Sequence, residues 1–143
     1  MPFAFLDDVA IADLAFEAWG ETLEETFVAA AEAVLCAMVE DPQSVRPQVR
    51  RPLRLRHEAL DLLLFTFLQE LIYYKDAEQL LLRVPQVRLG TADGVHTLEA
   101  EACGERLDPS RHQLRVDVKA VTLHRFSLAQ TPSGWKACVV LDV

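Results

Sequence analysis

The amino-acid sequence predicts an α+β fold of two main helices packed on a mostly antiparallel sheet, and three observations carry that expectation. Apolar residues recur at helical spacing through the first half of the chain. Near residue 78 the period falls to two, the signature of half-buried strands. Beyond that point Asp93-Gly94, Asp108-Pro109 and Pro132-Ser133-Gly134 punctuate the strands as turns, so strands follow strands without intervening helices. At 143 residues the chain has the size of one domain, spanning residues 1–143 and long enough to bury a core.

Each element has its own reason. From Asp13 to Trp19 the residues alternate, with Leu14, Phe16 and Ala18 on one face and Asp13, Glu17 and Trp19 on the other, which predicts a strand. Gly20 ends it, and Thr22 with Glu25 forms a T-x-x-E capping box that opens a helix. Leu23, Phe27, Ala30, Val34 and Met38 give that helix its apolar side, and Asp41-Pro42 closes it. VRPQVRRPLRLRH, residues 45–57, reads as an extended edge strand that turns its arginines to solvent and carries Pro47 and Pro52. A second helix is expected from about Glu58 to Tyr74, apolar nearly all round and so the most buried element. Four strands are expected after it: LLLRVPQVRLG, HTLEAEACGE, HQLRVDVKAVTLHRFSLA and WKACVVLDV.

Composition narrows the function. A net charge of −8 repels phosphate backbones, so the chain alone is not expected to bind nucleic acid tightly. Cys36, Cys103 and Cys138 are odd in number and far apart, which reads as reduced, buried thiols of a cytoplasmic protein. MPFAFLDDV lacks the basic start of a signal peptide, and Leu60–Tyr74 is too short and too polar to span a bilayer. The glycine-rich, HExxH and GxSxG signatures of common enzymes are absent.

A scattered set of polar residues remains. Asp13 lies on the polar face of its strand, and Asp142 lies one place before Val143. Two readings stand for the acids. They are exposed strand-end residues, the commoner fate of aspartates, or with the Val143 carboxylate they make an oxygen site for Ca²⁺ or Mg²⁺. Lys119, in VDVKAVTLH, shares a strand face with Asp117; it belongs to a solvated polar stripe or touches a partner. The histidines, among them His112 and His124, have no metal-ligand spacing and read as structural or exposed. Arg46, Arg50, Arg51, Arg54 and Arg56 make the one basic stripe, which either touches RNA or an acidic partner or, the commoner case, is a solvated edge strand defended by charge.

GETLEETFVAAAEAVLCAMVED, LLFTFLQELIYYKDAE, GERLDPSRHQLRVDVKAVTLH and the closing VVLDV, in that order and spacing, resemble the archease family over nearly the whole chain. The GE-x-x-D-x-x-x-H…VKAVT-x-H block and the final LDV are the specific parts. The resemblance implies a non-enzymatic cofactor of the RtcB-type RNA ligase, which joins a 3′-phosphate or 2′,3′-cyclic-phosphate RNA end to a 5′-hydroxyl end using GTP and a divalent metal. The cofactor promotes ligase guanylylation and turnover in tRNA splicing and RNA repair. The family's metal site, an aspartate in a His-Thr-Ala-Asp motif with the penultimate aspartate and the last residue, falls on Asp13, Asp142 and Val143. Its functional lysine falls on Lys119. The chain departs from that motif, with Ala10-Ile11-Ala12 before Asp13, and Leu123 stands where tyrosine is frequent. A divalent-metal hydrolase and a general chaperone for RNA-modifying enzymes are the competing expectations.

Overall fold

A computed structural model describes residues 2–6 and 13–143. The strands are β1 (Phe3–Leu6), β2 (Asp13–Gly20), β3 (Val49–His57), β4 (Leu80–Arg83), β5 (Val87–Ala92), β6 (Val95–Arg106), β7 (Ala120–Thr131) and β8 (Gly134–Asp142). The helices are α1 (Leu23–Met38) and α2 (Leu60–Glu78), with a 3₁₀ turn at Pro42–Ser44. Two antiparallel sheets form. The first has the order β1-β2-β8-β7; in the second β6 pairs with β3 on one side and with β4 and β5 on the other. Both helices touch strands of both sheets. The expected α+β class is therefore observed, with its strands divided between two sheets.

Thr22 caps α1 as its motif predicts, accepting from the Glu25 amide, while the Glu25 carboxylate accepts from the Glu21 amide, one residue outside the usual reciprocal bond. α1, and not α2, is the more buried helix: 11 of its 16 residues are buried against 7 of 19 in α2. Its alanines explain the reversal. Ala29, Ala30, Ala31, Ala33 and Ala37 leave room for both sheets to approach, whereas α2 turns Tyr73 and Asp76 to solvent. Phe27 and Phe67 stack at 5.9 Å to join the two helices.

Other expectations need correction. The stretch expected as one strand from Leu80 to Gly90 is two, broken over residues 84–86, where Pro85 has no amide to donate to a ladder. The strand expected from His112 begins only at Ala120. Residues 113–116 instead close the end of α1, whose last carbonyls have no partner within the helix. The Arg115 amide donates to Met38 O at 2.9 Å and the Val116 amide to Ala37 O at 3.2 Å. β7 is also interrupted: Thr122 faces Val140 and Ser127 faces Cys138, so four residues oppose one and Leu123 is pushed out to 62% exposure. Arg125 takes a left-handed φ of 55° to allow this. Only Cys36 is fully buried; Cys103 and Cys138 are half-buried, and all three are free. β1, which pairs with β2, was not expected from the sequence.

At Gly104 a side chain would collide with the Leu81 carbonyl oxygen, because β4 crosses that point at backbone contact. The glycine of the GE-x-x-D-x-x-x-H block is thus a packing requirement.

Candidate functional site

β2 and β8 run antiparallel with Asp13 directly opposite Asp142. Residues opposite one another on antiparallel strands project to the same face, with Cβ atoms about 4.5–5.5 Å apart. On its other side Asp142 faces Ala120, the first residue of β7. The row therefore runs Asp13–Asp142–Ala120, and Lys119 precedes it. The Lys119 amide donates to the Asp142 carbonyl at 2.8 Å, extending the ladder by one bond. Lys119 is exposed; Asp13, Asp142 and Val143 are half-buried. Val143 packs against the core and steadies the end of β8, where Leu141 is fully buried.

Thus the structure brings together Asp13 and Asp142, far apart in sequence, and sets the Lys119 backbone beside them. The strand stripe expected for Asp117 and Lys119 is not there, because both precede β7. Asp117 turns to α2. Lys75, only 7% exposed, places its Nζ 2.5 Å from Asp117 Oδ1, 2.7 Å from Val118 O and 2.7 Å from Asp76 Oδ1. Burial, the largest influence, disfavours the lysine's charge, but the bonds to Asp117 and Asp76 together outweigh it and hold its pKa above the ordinary value. Gln69 adds a second anchor, its Oε1 accepting from the Val121 amide at 3.0 Å. Neither residue was singled out from the sequence. A lysine and a glutamine in an otherwise apolar helix face were the available signal.

The block GE-x-x-D-x-x-x-H proves to be a buried polar knot at the start of the same segment. Glu105 accepts from the Arg46 amide, pairs with Arg111 and lies 3.4 Å from His112 Nε2. His112, 1% exposed, accepts on Nδ1 from the Asp108 amide. Burial raises the Glu105 pKa, but the Arg46 amide, Arg111 and His112 outweigh it, and the net shift is downward. The arginines of β3 behave as a solvated edge requires: Arg50, Arg54 and Arg56 are exposed, while Arg51 bonds Glu78.

The donor chemistry suits a hard cation, since carboxylate oxygens are what Ca²⁺ and Mg²⁺ prefer. Among the described residues no three His, Cys, Asp or Glu side chains gather as a metal cluster, so a cation at the aspartate pair needs further oxygens from elsewhere. The divergent Ala10-Ile11-Ala12 segment, with Asp7 and Asp8, lies outside the described residues.

Comparison with known proteins matches residues 3–143 to the model of the archease protein family. The chain belongs to the archease family. It is 36% identical to the archease of Thermococcus kodakarensis over 133 residues, 92% of this chain and 93% of that one. It is 35% identical to that of Pyrococcus furiosus over the same shares. A Methanobacterium thermoautotrophicum protein solved in solution superposes with a TM-score of 0.85 at 33% identity, covering 99% of both chains. A Thermotoga maritima archease, described as a possible chaperone, shares the fold with a TM-score of 0.65 at 17% identity, over 94% of this chain and 93% of its own. No helix among the described residues is long and apolar enough to cross a membrane.

Proposed function

We propose that this chain is a chaperone-like activator of the GTP-dependent RtcB-type RNA ligase, and not itself the catalyst. Archease family membership supports the class. The observation that carries the site is the facing pair Asp13 and Asp142, with Lys119 bonded to the backbone of the second. Two carboxylates held face to face repel unless a cation or proton stands between them. Asp13, Asp142 and the Val143 carboxylate would hold Ca²⁺ or Mg²⁺. Bound there, the ion supplies the positive charge that lets the acids share one place. Lys119, exposed beside them, is the group left to meet the ligase or its guanylylated site.

The test measures ligase guanylylation with and without the protein, beside calorimetric titration of the metal. Asp13→Ala and Asp142→Ala are expected to weaken metal binding and stimulation without unfolding the domain. Residues appended after Val143 are expected to do the same, because the carboxylate becomes a neutral amide. Lys119→Ala is expected to spare metal affinity and lower stimulation. Parental stimulation by both Asp13→Ala and the extended chain would remove the metal reading. A ligase indifferent to the parent protein removes the activator reading, and phosphoester hydrolysis by the purified chain would replace it.

A further inference from the structure

We infer that Lys75 is a positioning residue for Lys119, fixing from α2 the segment that presents it beside the aspartate pair. The inference rests on the function proposed for Lys119 and adds a residue to that site. Residues 115–119 belong to no strand, so the sheet ladder does not fix the backbone just before Lys119. Lys75 supplies what the ladder lacks. An ammonium has three donors, and here they reach Asp117, Val118 O and Asp76. Two of those partners are the residues immediately before Lys119. Val118 is itself fully buried, and beyond Lys119 the Val121 amide is held by Gln69. Lys119 is thus an exposed residue between two anchors on one helix, with its own amide on Asp142 O.

A purely structural filler argues for a different side chain. Lys75 is buried while the carboxylates it meets are 74% and 57% exposed, so burying its ammonium carries a desolvation cost that an apolar side chain would avoid. A lysine kept in this place, with two of its three donors aimed at the side chain and backbone of one short segment, matches a demand for position. Its charge persists because the acids around it outweigh burial.

Lys75→Met keeps the length and loses the donors; Lys75→Arg keeps a charge. Three readouts separate positioning from general damage. Amide hydrogen exchange at Lys119 is expected to quicken in Lys75→Met by about tenfold or more, the factor for one hydrogen bond to a charged group. Amides in α1 are expected to keep their rates. Ligase stimulation is expected to fall several-fold, metal affinity to stay within about twofold, and Lys75→Arg to recover part of the loss. In a Lys119→Ala background, Lys75→Met is expected to add no further loss of stimulation, because it acts through the missing lysine. Unchanged exchange at Lys119, or the same fractional loss in both backgrounds, overturns the inference. If Lys119→Ala alone stimulates like the parent, the role proposed for Lys119 fails, and the exchange rates still decide whether Lys75 fixes the segment.

Discussion

Where charged residues face one another directly across a ladder, the second sheet sets opposite signs together and the first sets like signs together. On the second sheet Arg54 faces Glu99, which faces Arg88, and Arg50 reaches Glu101 at 2.5 Å. On the first sheet Lys136 reaches Glu17 diagonally at 2.5 Å, but Asp13 faces Asp142 directly, with no ion-pair partner for either among the described residues. Opposite charges across a ladder help by roughly 0.2–1 kcal/mol and like charges hurt by a similar amount. The second sheet therefore neutralises itself. The first sets two acids against each other, an arrangement that folding alone does not reward. The difference teaches where to look for function: at the ladder position that works against stability.

The largest effect that sharpens this contrast is on metal binding. Asp142→Ala is expected to weaken Ca²⁺ binding by more than the roughly 10–100-fold that loss of an outer partner costs, because it removes a proposed ligand. Glu99→Ala, an acid of equal charge on the second sheet, is expected to leave the affinity within experimental error. Calorimetric titration of both variants gives the comparison, and equal losses would mean that bulk negative charge attracts the ion.

An acid that has a cation beside it is the next case. Glu105, 7% exposed on its side chain, sits against Arg111 and His112, and Glu105→Ala is expected to cost about 1–3 kcal/mol in denaturant unfolding. Its pKa is lower in the folded chain than its ordinary value of 4.5. The stability it contributes is thus fully present above pH 4.5 and lost as pH falls through the folded value. Acidifying from neutrality is expected to shrink the difference between parent and Glu105→Gln. A difference that stays constant down to acid unfolding would mean that the knot is held by shape and not by charge.

How much of this was legible follows the same physics. The alternation around Phe16, the Thr22 cap and the Asp93-Gly94 turn are local signals, and each led to a real element. Class and order came from them. What failed was decided by distant partners. The Leu60–Glu78 helix looked the more buried because of its leucines, yet burial depends on what approaches, and alanines admit two sheets. The run from Gln113 to Lys119 has strand composition, but the open carbonyls of α1 take the Arg115 and Val116 amides. Asp13 and Asp142 were legible as candidates through the family motif; their register came only from pairing β2 with β8. Lys75 left one local signal, a lysine on an otherwise apolar helix face, but its role came only with its partners Asp117 and Val118, which lie more than 40 residues away.

A smaller effect tests the cost of the facing acids directly. In metal-free protein, Asp142→Asn is expected to raise stability by about 0.2–1 kcal/mol, since it removes like charge at a directly opposed pair. Glu101→Gln on the second sheet is expected to lower it slightly or leave it unchanged, because Arg50 loses its partner on an exposed face. Added Ca²⁺ should reverse the order on the first sheet alone, since only the parent gains binding energy on folding. Thermal unfolding with and without the ion gives all four values.

The smallest effect concerns the arginine face. Arg54 and Arg88 line a groove of about 660 Å³ together with Glu99 and Glu101. A polyanion laid along it meets two glutamates that already engage Arg50 and Arg88, within a chain of net charge −8. Counterion release rewards phosphate binding only where cations are free to neutralise it. No aromatic side chain lines the groove to stack a base. Reversing Arg54 and Arg56 to glutamate is therefore expected to change stability by less than about 0.5 kcal/mol and to leave RNA binding at physiological salt unaltered, the parent being expected to bind none at micromolar concentration. Fluorescence anisotropy with a single-stranded RNA, repeated across salt concentrations, is the measurement. Micromolar binding by the parent that disappears in the reversed variant would show that the second sheet, too, has a partner, and the contrast between the sheets would then be one of ligand charge and not of function against solvation.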